Sequence, residues 1–167
     1  MYATQEARSI FVLPRFGAIL AGNGLAMDTL VHQHLVIAVE VDRQSVEEEA
    51  LGEWLVEVAR SVGMRPITKP VISYSDSPGN TGFLGILGIS TSHLSVHHWD
   101  CCRPSLLQFD LYSCKPFEIR TVLQEVNRFW SVQDGEIAVL NRGRSYEAAL
   151  DLSRQGFFAA LEGPVPR

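Results

Sequence analysis

A chain of 167 residues with 46% hydrophobic and 20% charged residues has the makeup of one globular domain, which excludes global disorder. Its formal net charge of −5, without a Lys/Arg cluster, offers no electrostatic footprint for nucleic acid or an anionic membrane. Three cysteines without a CxxC spacing do not make a secreted disulfide framework, so a cytoplasmic chain acting on a small molecule or another protein is expected.

No uncharged apolar run reaches the roughly 18 residues of a membrane span. The apolar N-terminal stretch is interrupted by Pro14 and Arg15, and Arg8 alone makes a poor basic leader, so a signal peptide is not expected. Residues 1–30 do not resolve into a periodic element and read as an N-terminal extension to a single domain over 31–167.

Leu35–Val41 is a run of β-branched and apolar residues, read as a buried strand. Asp42 and Ser45 offer helix caps, and Ser45 with Glu48 fits a capping box. Val46, Ala50, Leu51, Trp54, Leu55, Val58, Ala59 and Val62 then recur at helical spacing, with Gly63 as the stop. Glu47, Glu48, Glu49, Glu53 and Glu57 fall off that stripe and read as a solvated face.

Ile67–Tyr74 reads as a second strand made irregular by Pro66 and Pro70, and Ser75–Asn80 as a turn. Gly82–Ile89 is a glycine-rich strand whose glycines admit a close backbone or ligand; lacking a Gly-Lys-Ser/Thr ending, it is not a phosphate loop. His93–Trp99 and Leu106–Cys114 are further strands joined through Pro104. Pro116 suits the first turn of a second helix, with Ile119, Val122, Leu123, Val126, Phe129 and Trp130 as its apolar stripe. Asp134-Gly135 reads as a turn, Glu136–Leu140 as a short strand, Ser145–Ala160 as a third helix and the last residues as a frayed tail. The expected class is α+β: a mostly antiparallel sheet with two main helices on one face, in a βαββ-type pseudo-repeat.

The chemistry concentrates in Thr91–Cys114, which carries three imidazoles, three thiols and two carboxylates on a strand background. By strand parity His93, Ser95, His97 and Trp99 share one side, and Leu94, Val96 and His98 the other. His93, His97, Cys101 and Cys102 have the softness of zinc ligands, but vicinal cysteines diverge and neither HExxH nor CxxC occurs, so no metal is expected. A Ser-His-acid hydrolase lacks its GxSxG elbow here.

The string Ser92-His93-Leu94-Ser95-Val96-His97-His98-Trp99, preceded by Gly82 and Gly85 and followed by Asp110-Leu111-Tyr112-Ser113-Cys114, resembles the prokaryotic S-adenosylmethionine decarboxylases. The resemblance spans residues 30–143 and weakens toward His34-Leu35 and the first helix. It implies a proenzyme that cuts itself between Thr91 and Ser92, turning Ser92 into a pyruvoyl group that forms a Schiff base with the substrate and serves as electron sink. It implies His97 as the proton-transfer residue in processing and Cys114 as the proton donor in decarboxylation. It also implies a homodimer, and a role in spermidine and other polyamine synthesis.

Three positions depart from the family pattern. Thr91 stands where the family has glutamate, and Cys101 where it has the carboxylate that holds the nucleoside's ribose. The loop Ser75–Asn80 lacks the adenine-stacking aromatic, with Tyr74 a few residues early. Besides S-adenosylmethionine, arginine or ornithine therefore stays open as substrate, and so does an unprocessed homologue with a binding or regulatory role.

Overall fold

Alternation sets the architecture. In β1 (Gln33–Val41), Leu35, Ile37, Val39 and Val41 are buried while the residues between them are not, which makes one face of the strand apolar. The computed structural model describes residues 32–43, 45–141 and 152–165. The extension expected over residues 1–30 lies outside the described residues.

After β1 come α1 (Glu48–Ser61), β2 (Val71–Ser75), β3 (Gly82–Ile89), β4 (Ser92–Trp99) and β5 (Ser105–Ser113), then α2 (Ile119–Trp130), β6 (Val132–Asn141), β7 (Leu152–Gly156) and α3 (Phe157–Glu162). The strands form one sheet in the order β2-β3-β4-β5-β1-β6-β7, antiparallel at every pairing. The α+β class and the antiparallel sheet are as expected.

One face of the sheet is dry. Leu87 and Ile89 of β3, Leu94, Val96 and His98 of β4, Leu107, Phe109 and Leu111 of β5, and Ile137 and Val139 of β6 join the β1 residues there. They meet Leu51, Trp54, Leu55 and Val58 of α1 and Val122, Leu123, Val126 and Trp130 of α2. Trp54 is the hub, edge-on to Phe109 and Trp130 at 5.5 and 5.7 Å and stacked on Phe129 at 5.2 Å. The acidic residues 47–49, 53 and 57 are exposed, as the helical stripe requires. The opposite face carries His34, Val36, Leu84, Ile86, His93, Ser95, His97, Asp110 and Tyr112, all half-buried or exposed.

Glycine is needed where backbones close up. A Cβ at Gly82 would lie 1.8 Å from the His98 carbonyl oxygen, so this glycine admits the neighbouring strand rather than a ligand. At Gly135 (φ +139) a Cβ would come within 2.4 Å of the Ala38 carbonyl oxygen. The Asp134-Gly135 pair is therefore not a turn. It lies within β6 beside the register shift at Glu40/Val41, a bulge that swallows the turn-like composition.

Other expectations are corrected as well. No capping box forms: α1 starts from Glu47 as N-cap, leaving Ser45 two residues outside the helix. Val46 and Leu51 instead enter the core from the positions of a hydrophobic staple. At its other end Gly63 and Met64 donate backbone bonds to Arg60 and Ala59, closing the helix where the glycine predicts.

The second strand begins at Val71, not Ile67; Pro66 makes only an isolated bridge to Ile89. Pro116 lies ahead of α2, whose N-cap is Glu118, its carboxylate accepting from the Arg120 N–H. The third helix shortens to Phe157–Glu162, because Leu152–Gly156 pairs with β6 as an edge strand. The beginning of that expected helix lies outside the described residues.

Candidate active site

β3 and β4 are joined by only Ser90 and Thr91, so Ser92 opens β4 opposite Ile89 and Ser113. Tight two-residue hairpins reverse through positive φ, normally on glycine. Neither loop residue here is glycine, and the positive φ, 151°, falls on Ser92. A non-glycine residue held there costs about 1–3 kcal/mol, strain that persists only where the surroundings enforce it.

The surroundings do enforce it. The Thr91 carbonyl oxygen accepts the Cys114 backbone N–H at 3.0 Å, Ser90 donates to the Arg65 carbonyl at 2.9 Å, and the buried Thr91 hydroxyl donates to Met64 Sδ at 3.3 Å. The Thr91–Ser92 peptide is thus clamped from two sides, and an N–H is already aimed at its carbonyl. Cys114, free and half-buried, leaves the end of β5 at the same place.

On the open face below Ser92 the antiparallel register assembles a polar cluster around Asp110, which pairs with Ser95 of β4 and Val36 of β1. Its carboxylate accepts from Ser95 Oγ, lies 3.3 Å from His34 Nε2 and faces His93 Nε2 at 4.0 Å. The other imidazole nitrogen of His93, Nδ1, lies 3.0 Å from Ser92 Oγ. Tyr112 hydrogen-bonds His32 Nδ1 at 2.7 Å and sets its ring edge-on to His93. Burial alone would raise the Asp110 pKa. The His34 and Ser95 hydrogen bonds and the two imidazoles outweigh it, holding the carboxyl below its ordinary value and therefore ionised.

His97 does not join this group. Its ring stacks on Trp99 at 3.7 Å, and it lies five residues further along β4, roughly 16 Å from Ser92 at 3.3 Å per residue. Burial pushes the His97 imidazole down from its ordinary pKa. Ser92 and Cys114 are brought together within one chain; His97 stands apart. His93, Ser95, Asp110 and His34 form the cluster beside Ser92 without having been singled out as reactive in the sequence.

The far end of β4 is different again. Asp100 turns away, accepting from Thr81 Oγ1 at 2.5 Å and Tyr74 Oη at 3.1 Å, as a one-residue change of parity demands. Cys101 and Cys102 are exposed with their sulfurs 3.8 Å apart, and the Cys101 thiol donates to the Gly79 carbonyl. Hydrogen bonding to Cys101 raises the Cys102 thiol pKa. Among the described residues no three His, Cys, Asp or Glu side chains converge as a metal site. A groove of about 790 Å³ between α1 and β2, lined by Glu48, Glu53, Arg60 and Lys69 among others, shares no residue with the Ser92 cluster. No described helix is long and apolar enough to cross a membrane.

The family model for S-adenosylmethionine decarboxylase matches residues 33–143, about two thirds of the chain, and the chain belongs to that family. Its enzymes are decarboxylases that carry a self-derived pyruvoyl group. No curated protein matches the chain. The residues at hand fit such a group: a serine at strained φ follows a carbonyl already gripped by an N–H, with an imidazole on its hydroxyl.

Proposed function

Proceeding from that membership, we propose that the chain cuts itself between Thr91 and Ser92, converts Ser92 to a pyruvoyl group, and decarboxylates S-adenosylmethionine for polyamine synthesis. The observation that carries this reading is the clamped, strained Thr91–Ser92 peptide with the Ser92 hydroxyl on an imidazole. Relief of strain favours leaving the amide, and the Cys114 N–H stabilises negative charge developing on the Thr91 oxygen. Once formed, the pyruvoyl carbonyl supplies an electrophile for the substrate amine and a sink for the electron pair released with carbon dioxide.

Cys114 leaves β5 beside Ser92 and carries the only thiol near it among the described residues, which suits it to return a proton to the substrate carbon. His97 cannot reach Ser92 of its own chain along an extended strand. Its assigned proton transfer therefore calls for a second copy. Leu84 and Ile86, each 43% exposed on the open face, favour a homodimer through that face.

A second reading keeps the machinery and changes the substrate to another amino acid, such as arginine or ornithine. It is favoured by the Cys101–Cys102 end, where both thiols stand exposed and Asp100 is spent on Thr81 and Tyr74. Incubation with each candidate under cyanoborohydride separates the two. S-adenosylmethionine should leave its mass on the fragment that begins at residue 92. A mass left by arginine or ornithine instead would replace the first reading by the second.

A further inference from the structure

Resting on the self-cleavage reading, we infer that His93 is the catalytic base and acid of the first cleavage step, acting within its own chain, and that Asp110 is its positioning residue. The two residues belong together by geometry. His93 Nδ1 is 3.0 Å from Ser92 Oγ, within reach for direct proton transfer. Accepting from that hydroxyl requires the tautomer with its proton on Nε2, and Nε2 is the nitrogen that faces Asp110 Oδ1 at 4.0 Å. Asp110 is itself held from two neighbouring strands, by Ser95 Oγ on β4 and His34 Nε2 on β1. Serine, imidazole and carboxylate thus stand in the order of a nucleophile, its base and the group that orients the base.

Adjacent residues of a regular strand point to opposite faces, so Ser92 and His93 would not normally meet. The positive φ at Ser92 breaks that rule and accompanies the contact between its hydroxyl and the imidazole. His97, the other imidazole on this face of β4, is turned onto Trp99.

The step balances without any added reagent. Ser92 Oγ bonds to the Thr91 carbonyl carbon as its proton passes to His93 Nδ1. The Thr91–Ser92 C–N bond then breaks, and the same proton moves from Nδ1 to the departing nitrogen. The product is an ester of the Ser92 hydroxyl with a free amine. While the proton rides on His93, the charged imidazole faces ionised Asp110. Among the described residues, the other titratable groups around it are His34 on β1 and Tyr112 on β5. Removal of the Ser92 Cα proton, which the later conversion requires, is left to His97 of a second copy.

The test follows self-cleavage of freshly made full-length chain on denaturing gels across pH 5 to 9. The native chain should cleave faster as pH rises, because only an unprotonated imidazole can accept the hydroxyl proton. His93→Gly should slow cleavage by about 10²–10⁴-fold, the usual worth of general acid–base catalysis. Because the His93 side chain is half exposed, dissolved imidazole should restore much of that loss, which a structural role would not allow. Asp110→Asn should cost about tenfold, since the imidazolium loses its facing charge, and Asp110→Glu should regain most of that loss. Cleavage of His93→Gly at the native rate, or a deficit that imidazole leaves untouched, overturns this assignment while the self-cleavage reading stands. If Asp110→Asn cleaves at the native rate, or Asp110→Glu restores nothing, the positioning role falls. A native chain that stays whole overturns both readings.

Discussion

The two ends of β4 are built on opposite plans. At the Ser92 end, backbone strain, a clamped carbonyl and a carboxylate–imidazole cluster converge on one peptide bond. At the Trp99 end, side chains spread outward: Asp100 is drawn to Tyr74 and Thr81, while Cys101 and Cys102 lie exposed. On the proposed reading, the difference separates making the reactive group from choosing what it acts on. Bond-breaking parts must be held to fractions of an ångström by several strands, whereas a recognition edge can change one residue at a time.

Replacing parts of the first end should have the larger effects. Ser92→Ala should abolish cleavage outright, leaving one full-length band, because the Ser92 hydroxyl can close a five-membered ring on the Thr91 carbonyl, whereas the hydroxyl of Thr91 itself would need a four-membered ring and is held on Met64. Cys114→Ala keeps the backbone N–H that grips Thr91, so cleavage should continue. Turnover should fall by about 10²–10⁴-fold, measured as carbon dioxide release by the cleaved protein, or the product should carry its proton in the wrong place. Cleavage lost in Cys114→Ala would mean the thiol is needed for processing itself.

The second end should respond more gently. Cys101→Glu restores a carboxylate to an exposed position and should lower the KM for S-adenosylmethionine by roughly tenfold, as one charge-assisted hydrogen bond of about 1.5–3 kcal/mol allows. An unchanged KM would detach Cys101 from substrate choice.

Midway along the strand, His98 faces the core against Trp130 at 4.8 Å and is fully buried, and that burial pushes its pKa down. Below about pH 6.5 the unfolded chain binds a proton that the folded chain refuses, so stability falls from there toward the lowered folded value. His98→Leu should flatten that acid-side slope in denaturant titrations while leaving cleavage intact. A slope unchanged by the substitution would assign the acid sensitivity elsewhere.

Much of this was legible in the sequence because burial writes a period. The alternation of Leu35–Val41 and the stripe from Leu51 to Val58 name the core face of the sheet and the helix that covers it. β7 was not legible. Leu152–Gly156 is a five-residue strand with one partner among the described residues, too short to show alternation, and it runs into a helix. The bulge beside Asp134-Gly135 reads as a turn because turns and bulges use the same residues.

At the site, Ser92 and Cys114 stand out by motif, but His93 enters only as a zinc-ligand candidate, because regular strand parity would turn it away from Ser92, the rule that a positive φ at Ser92 suspends. Asp110 gave one unused signal, a carboxylate in the middle of an apolar strand. Its partners His34 and Ser95 lie 76 and 15 residues away and become visible only through strand register.

The most direct measurement is the intact mass of the purified chain with sequencing from its new N-terminus. The expected result is two fragments, 1–91 and 92–167, the second blocked to N-terminal sequencing because its first residue carries a pyruvoyl group in place of an amine. A single full-length species with Ser92 unaltered would contradict it.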